Sequence, residues 1–266
     1  MKVGFIGLGT QGKFLAVNLV EAGHDLMVHD LRREPLDLLS QHGAKIAQSA
    51  REVGAHAEVV EICVLDDAQV DEVVAGPAGV LKGAASGTII AIHSTIRPAT
   101  IMRLAEMAAA QGVELVDVPV SGSERGARAK RMSYMVGGSA SAFEKCKPLF
   151  ETSGPKVTHC GPLGAGMRAK LAHQLIFCVN ILAAYEGMRL GITAGVSAEI
   201  LQKVIHEGVG QSFIADNWTT IAMPGSSRSA LYKDLQLCLE FADDIGVSIP
   251  GAALAQQLID HIVPTA

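Results

Sequence analysis

The sequence predicts an α/β fold: a doubly wound parallel sheet followed by an all-α segment built on one long helix joining the two parts. Three observations carry this. Strand-like and helix-like runs alternate over the first two-thirds of the chain, the pattern of a parallel sheet covered on both faces. After Gly161 the strand signals almost vanish. The first strand runs straight into Gly7-Leu8-Gly9-Thr10-Gln11-Gly12, ahead of the first helical pattern.

Taken in order, KVGFIG (2–7) is a short apolar strand, and Gln11–Glu21 is an amphipathic helix closed by the C-cap signal Ala22-Gly23. DLMVHD (25–30), EVVEICVL (58–65), GTIIAIH (87–93) and ELVDVPV (114–120) read as further strands, with a helix over Ala99–Gln111. SYMVGG (133–138) and KVTHCG (156–161) read as closing strands. Arg168–Leu190 reads as one helix, apolar nearly all round and therefore expected to be buried. Further helices are expected at 197–207, 212–221, 231–246 and 251–262, with Pro224 to Ser227 as a loop among them. The expected domains are 1–162 and 163–266, the second all-helical.

Composition narrows the function classes. Of 266 residues 49% are apolar and 18% charged, which supplies a core and excludes disorder. A net charge of −5 offers no basic surface to nucleic acid or an anionic membrane. Five scattered cysteines without a Cys-x-x-Cys argue against a disulfide framework or a zinc site; they read as buried small hydrophobes in a reducing cytoplasm. A strand begins at Lys2, so no signal peptide is expected, and the uncharged stretch Leu171–Tyr185 is short for a membrane span. No metal site is expected.

The Gly-rich turn suits a dinucleotide. Gly7 permits a tight turn, Gly9 lets backbone approach a pyrophosphate, and Gly12 lets the helix pack on the sheet; Leu8, Thr10 and Gln11 complete the loop. The helix N-terminus offers N–H groups and positive potential to phosphates. Asp30, 18 residues after Gly12, is placed to accept hydrogen bonds from ribose hydroxyls and favours NAD. Arg32 and Arg33 leave NADP open, since either is suited to clasp a 2′-phosphate.

Four segments together resemble the β-hydroxyacid dehydrogenase family, the group of 3-hydroxyisobutyrate dehydrogenase. They are GFIGLGTQG with AGHDLMVHD behind it, DVPVSGSERGA (117–127) with MVGG (135–138), GAGMRAKLAHQ (164–174), and KDLQLCLEFADDIGVSIP (233–250). The resemblance runs from Met1 to about Ala255. It implies that 1–162 is a nucleotide-binding Rossmann domain joined to 163–266, a helical domain serving substrate binding and dimerisation. The implied reaction is hydride transfer between NAD(P) and a small anionic 3-hydroxy acid, or the matching semialdehyde or keto acid.

The resemblance also assigns residues. Lys170 matches the catalytic lysine, which exchanges a proton with the substrate oxygen and stabilises alkoxide charge. Ser121 and Gly122 match the loop that holds the substrate carboxylate. Lys233 is implied at both nicotinamide and substrate, with Asp234 orienting it or capping its helix. Ser94 and Thr95 match a cofactor-contacting segment, while Leu65 and Asp66 end the third expected strand at the sheet's carboxyl edge, where a cofactor lies; plain loops and a helix cap are the alternative.

The departures are specific. Gln174 stands where the family usually has Asn, one turn after Lys170, as a substrate-binding residue with an added methylene. His173 resembles the histidine of 6-phosphogluconate dehydrogenases, and a packed structural histidine is as good a reading. The loop ahead of MVGG usually carries Gly-Thr; here it is Lys130-Arg131. With Arg125 and Arg128 it forms either a solvated hairpin, the favoured reading, or a site for an extra anionic group. Phe213 and Trp218 line a pocket or belong to the core. The alternatives to a dehydrogenase are a 6-phosphogluconate dehydrogenase-like decarboxylase and a non-catalytic dinucleotide-binding module; retained Lys170 argues against the second. The apolar face after Leu171 suggests a homodimer or homotetramer.

Overall fold

The computed structural model describes residues 1–223 and 225–264. The chain forms two compact units, Met1–Lys170 and Leu171–Ala266. The sequence places the change of character at 162/163; the units divide at Lys170/Leu171, inside a long helix.

The first unit runs β1 (Lys2–Ile6), α1 (Gly12–Glu21), β2 (Asp25–His29), α2 (Arg33–Gln41), β3 (Lys45–Ile46), α3 (Ala50–His56), β4 (Val59–Ile62) and α4 (Asp67–Ala75). A 3-10 turn at Val80–Lys82 precedes β5 (Ile89–Ile92), α5 (Pro98–Ala109) and β6 (Glu114–Asp117). Then come β7 (Val120–Ser121), α6 (Ser123–Arg128), β8 (Ser133–Gly137), α7 (Ala140–Glu151), β9 (Lys156–Gly161) and the start of α8 (Ala165–Thr193). The strand order is β3-β2-β1-β4-β5-β6-β8-β7, with β9 also on β8. Strands β1 to β6 pair with one another in parallel. The parallel pattern ends at β8, which runs antiparallel to β6 and β7 and parallel to β9.

Burial on both faces explains the continuous apolar strands. In β5, Ile89 and Ala91 enter one hydrophobic layer and Ile90 and Ile92 the other. β4 repeats the pattern with Val59 on one side and Val60 and Ile62 on the other, yet carries Glu61 within it. Helices start where short polar side chains cap them: Ser49 for α3, Asp66 for α4 and Ser139 for α7. α1 differs, since Gln11 at its N-cap makes no side-chain cap bond.

The second unit comprises the rest of α8, α9 (Ala198–Glu207), α10 (Phe213–Asp216), α11 (Ser226–Asp244), α12 (Pro250–Gln257) and α13 (Ile259–Ile262). Its core gathers Cys178, Ile181, Ile214, Leu235, Ala255 and Ile259. The helix expected at 212–221 is a single turn. The Asn217 side chain donates to the Phe213 carbonyl at 2.8 Å, an acceptor that a continuing helix uses for its own backbone. The helix expected at 251–262 breaks at Leu258 into two. α11 starts at Ser226, earlier than expected, so Ser226 and Ser227 are helical; of the expected loop Gly225 is a turn and Pro224 lies outside the described residues.

The expectation that the long helix is buried is corrected. α8 is long and apolar enough to cross a membrane by length and composition, but only 28% of its most apolar window is buried. One stripe, with Cys178, Ile181 and Leu182, packs into the second unit's core, while Ile176, Leu190 and Ile192 are exposed. Apolarity all round a helix measures what it is able to bury, and the unit's remaining helices cover one face of it.

Candidate active site

The first unit's candidate cofactor residues collect at the carboxyl ends of β1, β2, β4 and β5, adjacent parallel strands. Two glycines of the turn are required by packing. Gly7 has φ +92°, and a Cβ there would run into the Cys63 carbonyl; a Cβ at Gly12 would run into the carbonyl of Gly7. Gly9 is different, with nothing within 4 Å of its would-be Cβ. No protein atom demands glycine there, so the loop backbone stays open to approach from outside. With the uncapped start of α1, it is a loop that a pyrophosphate fits. Leu8 is buried and ties the loop to the core, while Thr10 is exposed and Gln11 partly so.

Asp30 reaches this loop directly. Its Oδ2 accepts from the Leu8 N–H at 2.6 Å, and its Oδ1 from the Arg32 N–H at 2.8 Å and Nε at 3.1 Å. Arg32 Nη2 in turn donates to the Leu8 carbonyl at 2.9 Å. Burial alone would raise the Asp30 carboxyl, but the bonds from Arg32 and Leu8 outweigh it and hold it below the usual carboxylate range. Asp30 and Arg32 therefore form one unit clamped on the glycine turn, a coupling the sequence did not reveal. Arg33 instead pairs with Asp37 on α2 at 2.7 Å.

At the next strand ends, Leu65 is exposed, and Asp66 caps α4 by accepting from the Gln69 N–H at 2.9 Å. Ser94 is buried and accepts from the Val64 N–H at 2.9 Å, tying the two strand ends together beside Thr95.

Lys170 is 6% exposed, and its Nζ donates to the Val120 carbonyl at 2.7 Å. This places the amine beside the carbonyl that precedes Ser121 and Gly122. Gly122, at φ +147°, precedes α6. The start of α8, which carries Lys170, is held by a residue to which the sequence assigned no role. Asp117 is fully buried at the end of β6. Its Oδ1 accepts from the Gly164 N–H at 2.7 Å and its Oδ2 from the Met167 N–H at 2.5 Å. Burial pushes this carboxyl up, and the two N–H donors pull it back. The signal was present, an acidic strand end ahead of a Gly-rich turn into a helix, but its partner lies 47 residues on.

The basic segment is not a plain hairpin, since α6 occupies it between β7 and β8. Arg128 pairs with Glu124 at 2.8 Å and lies over the Phe14 ring, and Lys130 pairs with Glu21 at 3.0 Å.

In the second unit, Gln174 is buried and donates from Nε2 to Asp234 Oδ2 at 2.6 Å. Asp234 Oδ1 pairs with Lys233 Nζ at 2.9 Å. The carboxylate only accepts, so the Gln174 carbonyl oxygen faces His173 Nδ1, 3.1 Å away, and that nitrogen is the donor. Asp234 stands in mid-α11 and so does not cap it; it orients both Lys233 and Gln174. Phe213 is exposed, and Trp218 lies partly buried against the core. Of the cysteines expected to be buried, Cys146, Cys178 and Cys238 are, whereas Cys63 and Cys160 are partly exposed. Among the described residues no three His, Cys, Asp or Glu side chains are grouped to hold a metal.

Comparison with known proteins follows this division. Residues 2–161 match the family profile of the NAD binding domain of 6-phosphogluconate dehydrogenase, and residues 164–265 that of the NAD-binding segment of NADP-dependent 3-hydroxyisobutyrate dehydrogenase. A 2-hydroxy-3-oxopropionate reductase of Escherichia coli is 36% identical over 98% of this chain and 90% of its own length. A 2-(hydroxymethyl)glutarate dehydrogenase of Eubacterium barkeri is 31% identical over 98% and 88%. Among solved structures, a 3-hydroxyisobutyrate dehydrogenase of Mycobacterium tuberculosis, determined with L-serine, superposes with a TM-score of 0.88 at 27% identity, covering 99% of this chain and 96% of that one.

Proposed function

The chain belongs to the β-hydroxyacid dehydrogenase family, the 3-hydroxyisobutyrate dehydrogenase group, and from this membership we infer its reaction. It is an NAD(P)-dependent oxidoreductase that transfers a hydride between the cofactor and a small 3-hydroxy acid, or the matching semialdehyde or keto acid. The observation that carries this reading to individual residues is the buried Lys170, fixed by the Val120 carbonyl beside Ser121.

With its pyrophosphate at the glycine turn, the dinucleotide would supply the hydride acceptor or donor through its nicotinamide. The chain's own residues do the rest. Lys170 takes the proton of the substrate hydroxyl as it is oxidised, or returns it on reduction, and in its ammonium form stabilises the alkoxide. The Val120 carbonyl holds the Lys170 amine in place beside Ser121. Ser121 and the backbone at Gly122 hold the carboxylate. Gln174 and Lys233, oriented by Asp234, are assigned to substrate, and Lys233 also to the cofactor. Gly7 to Gly12, Asp30, Arg32, Leu65 and Thr95 are assigned to the cofactor, with Asp66 acting through α4. The clamped carboxylate of Asp30 favours NAD, because a 2′-phosphate would meet a fixed negative charge.

The test is NAD(P)H absorbance with 3-hydroxyisobutyrate, glycerate, 4-hydroxybutyrate, serine, threonate and 6-phosphogluconate, each with both cofactors. Turnover of a 3-hydroxy acid by the parent and its loss in Lys170→Ala support the reading; a Lys170→Ala protein as fast as the parent overturns it.

The family reading extends to a homodimer or homotetramer, supported by exposed Ile176, Leu190, Ile200 and Val204 in the second unit. A stable 27.8 kDa species by light scattering at micromolar concentration would reject it. A cytoplasmic location fits five free cysteines, of which Cys146 has its thiol pushed up by burial to about 12. Recovery of the native protein in a periplasmic or secreted fraction would count against that location.

A further inference from the structure

Glu61 and His93 form a buried ionisable pair that the reaction as described does not use. Each is 2% exposed, in the middle of β4 and just past β5. His93 Nε2 lies 2.8 Å from Glu61 Oε2, and His93 Nδ1 lies 2.9 Å from the Val118 carbonyl oxygen. A carbonyl only accepts, so Nδ1 carries hydrogen and donates to Val118, while Glu61 engages the other ring nitrogen and fixes the ring plane. Phe5, Tyr134 and Phe150 surround the imidazole at centroid distances of 6.2, 5.9 and 5.7 Å. Two ionisable groups in such a place are costly beside an apolar pair of the same volume, so their position matters.

Val118 stands where the chain leaves the parallel ladder. β6 ends at Asp117 and β7 begins at Val120, so the carbonyl between them lies outside both strands. Val118 is fully buried, and the His93 side chain supplies the donor that a neighbouring strand supplies elsewhere. Two residues on, the Val120 carbonyl holds Lys170 Nζ.

We propose that Glu61 and His93 are positioning residues for Lys170: Glu61 fixes the imidazole, the imidazole fixes the Val118 carbonyl, and this sets the Val120 carbonyl that anchors the amine. The proposal rests on the reading of Lys170 as catalytic. It differs from a general packing role because only the Nδ1 donor serves it.

Two substitutions separate the ring nitrogens. The amide nitrogen of Asn falls near Nδ1, so His93→Asn keeps the donor to Val118; that of Gln falls near Nε2, so His93→Gln keeps the link to Glu61 and loses the donor. In His93→Gln, kcat for NAD-linked oxidation of 3-hydroxyisobutyrate falls roughly tenfold with KM for NAD within about twofold, and amide hydrogen exchange over 118–122 rises. His93→Asn restores both towards the parent. Where a His93 variant does not fold, Glu61→Met tests the same link: it leaves the donor unoriented, and exchange over 118–122 rises. Equal behaviour of the two His93 variants, or unchanged exchange in Glu61→Met, overturns the proposal. Lys170→Ala run beside them distinguishes the failures, because full activity there sinks the reading of the lysine, whereas its loss with identical His93 variants sinks the positioning role alone.

Discussion

The two units hold their candidate functional groups in different ways. In the first, backbone anchors side chain: Lys170 donates to the Val120 carbonyl, Asp117 accepts from Gly164 and Met167, and Asp30 accepts from Leu8. In the second, side chain anchors side chain, through His173, Gln174, Asp234 and Lys233. Packing differs likewise. β4 and β5 are buried along their whole length, whereas α9 has no buried residue and leaves Ile200 and Val204 exposed. Groups pinned by backbone inherit the rigidity of a sheet; groups pinned by one another shift together when any of them changes size. The first arrangement suits a cofactor and a reaction common to a family, the second a substrate that differs between its members.

The contrast can be broken at graded cost. The largest effect is expected for Lys170→Ala, with kcat lowered about a thousandfold and the melting temperature little changed, measured by NAD(P)H absorbance and thermal unfolding. Asp117→Ala leaves two helix N–H groups buried without an acceptor and should cost roughly 3 kcal/mol in urea unfolding; Asp117→Asn, which keeps one acceptor oxygen, should cost less. If both are neutral, backbone anchoring of α8 is not what holds Lys170.

Next comes Asp30→Asn, expected to lower the kcat/KM preference for NAD over NADP about tenfold. Its stability effect has a definite sign. The folded-state carboxyl sits below its ordinary value, so its contribution is present above about pH 4 and is lost as pH falls through the lower folded value. The melting-temperature gap between parent and variant should therefore close on acidification; a gap that widens there contradicts the clamp. Gln174→Asn shortens the side chain that reaches Asp234. A severalfold change in substrate KM, with KM for NAD within about twofold, is expected. The smallest folding effect is expected for Ile200→Asp, within about 0.5 kcal/mol in urea unfolding because the side chain is exposed, while light scattering should show a smaller species.

Much of the first unit was legible because its signals are local. Gly7-Leu8-Gly9-Thr10-Gln11-Gly12 between a strand and a helix specifies its own turn, and an apolar run such as IIAI is readable as a strand covered on both faces. The two-residue strand β3 and the antiparallel return at β8 were not, since two residues carry no period and strand direction depends on what lies alongside. In the second unit, helix ends were misjudged where one side chain competes with the backbone, as Asn217 does. Lys170, Ser121 and Gln174 were assigned from motifs; Asp117, Asp234 as a bridge, and the Glu61–His93 pair emerge only from contacts.

By itself, the sequence determined most of the strands and several of the helices, where the glycine turn falls, and which family's chemistry the chain carries, because each of these rests on residues close together along the chain. Tertiary structure alone decided what each polar group is bonded to. Asp117 meets Gly164 and Met167, His93 meets Glu61 and Val118, and Gln174 meets Asp234 across separations of 25 to 60 residues. A buried polar group must find a partner, but which partner depends on how strands order and helices pack, and no local pattern encodes that.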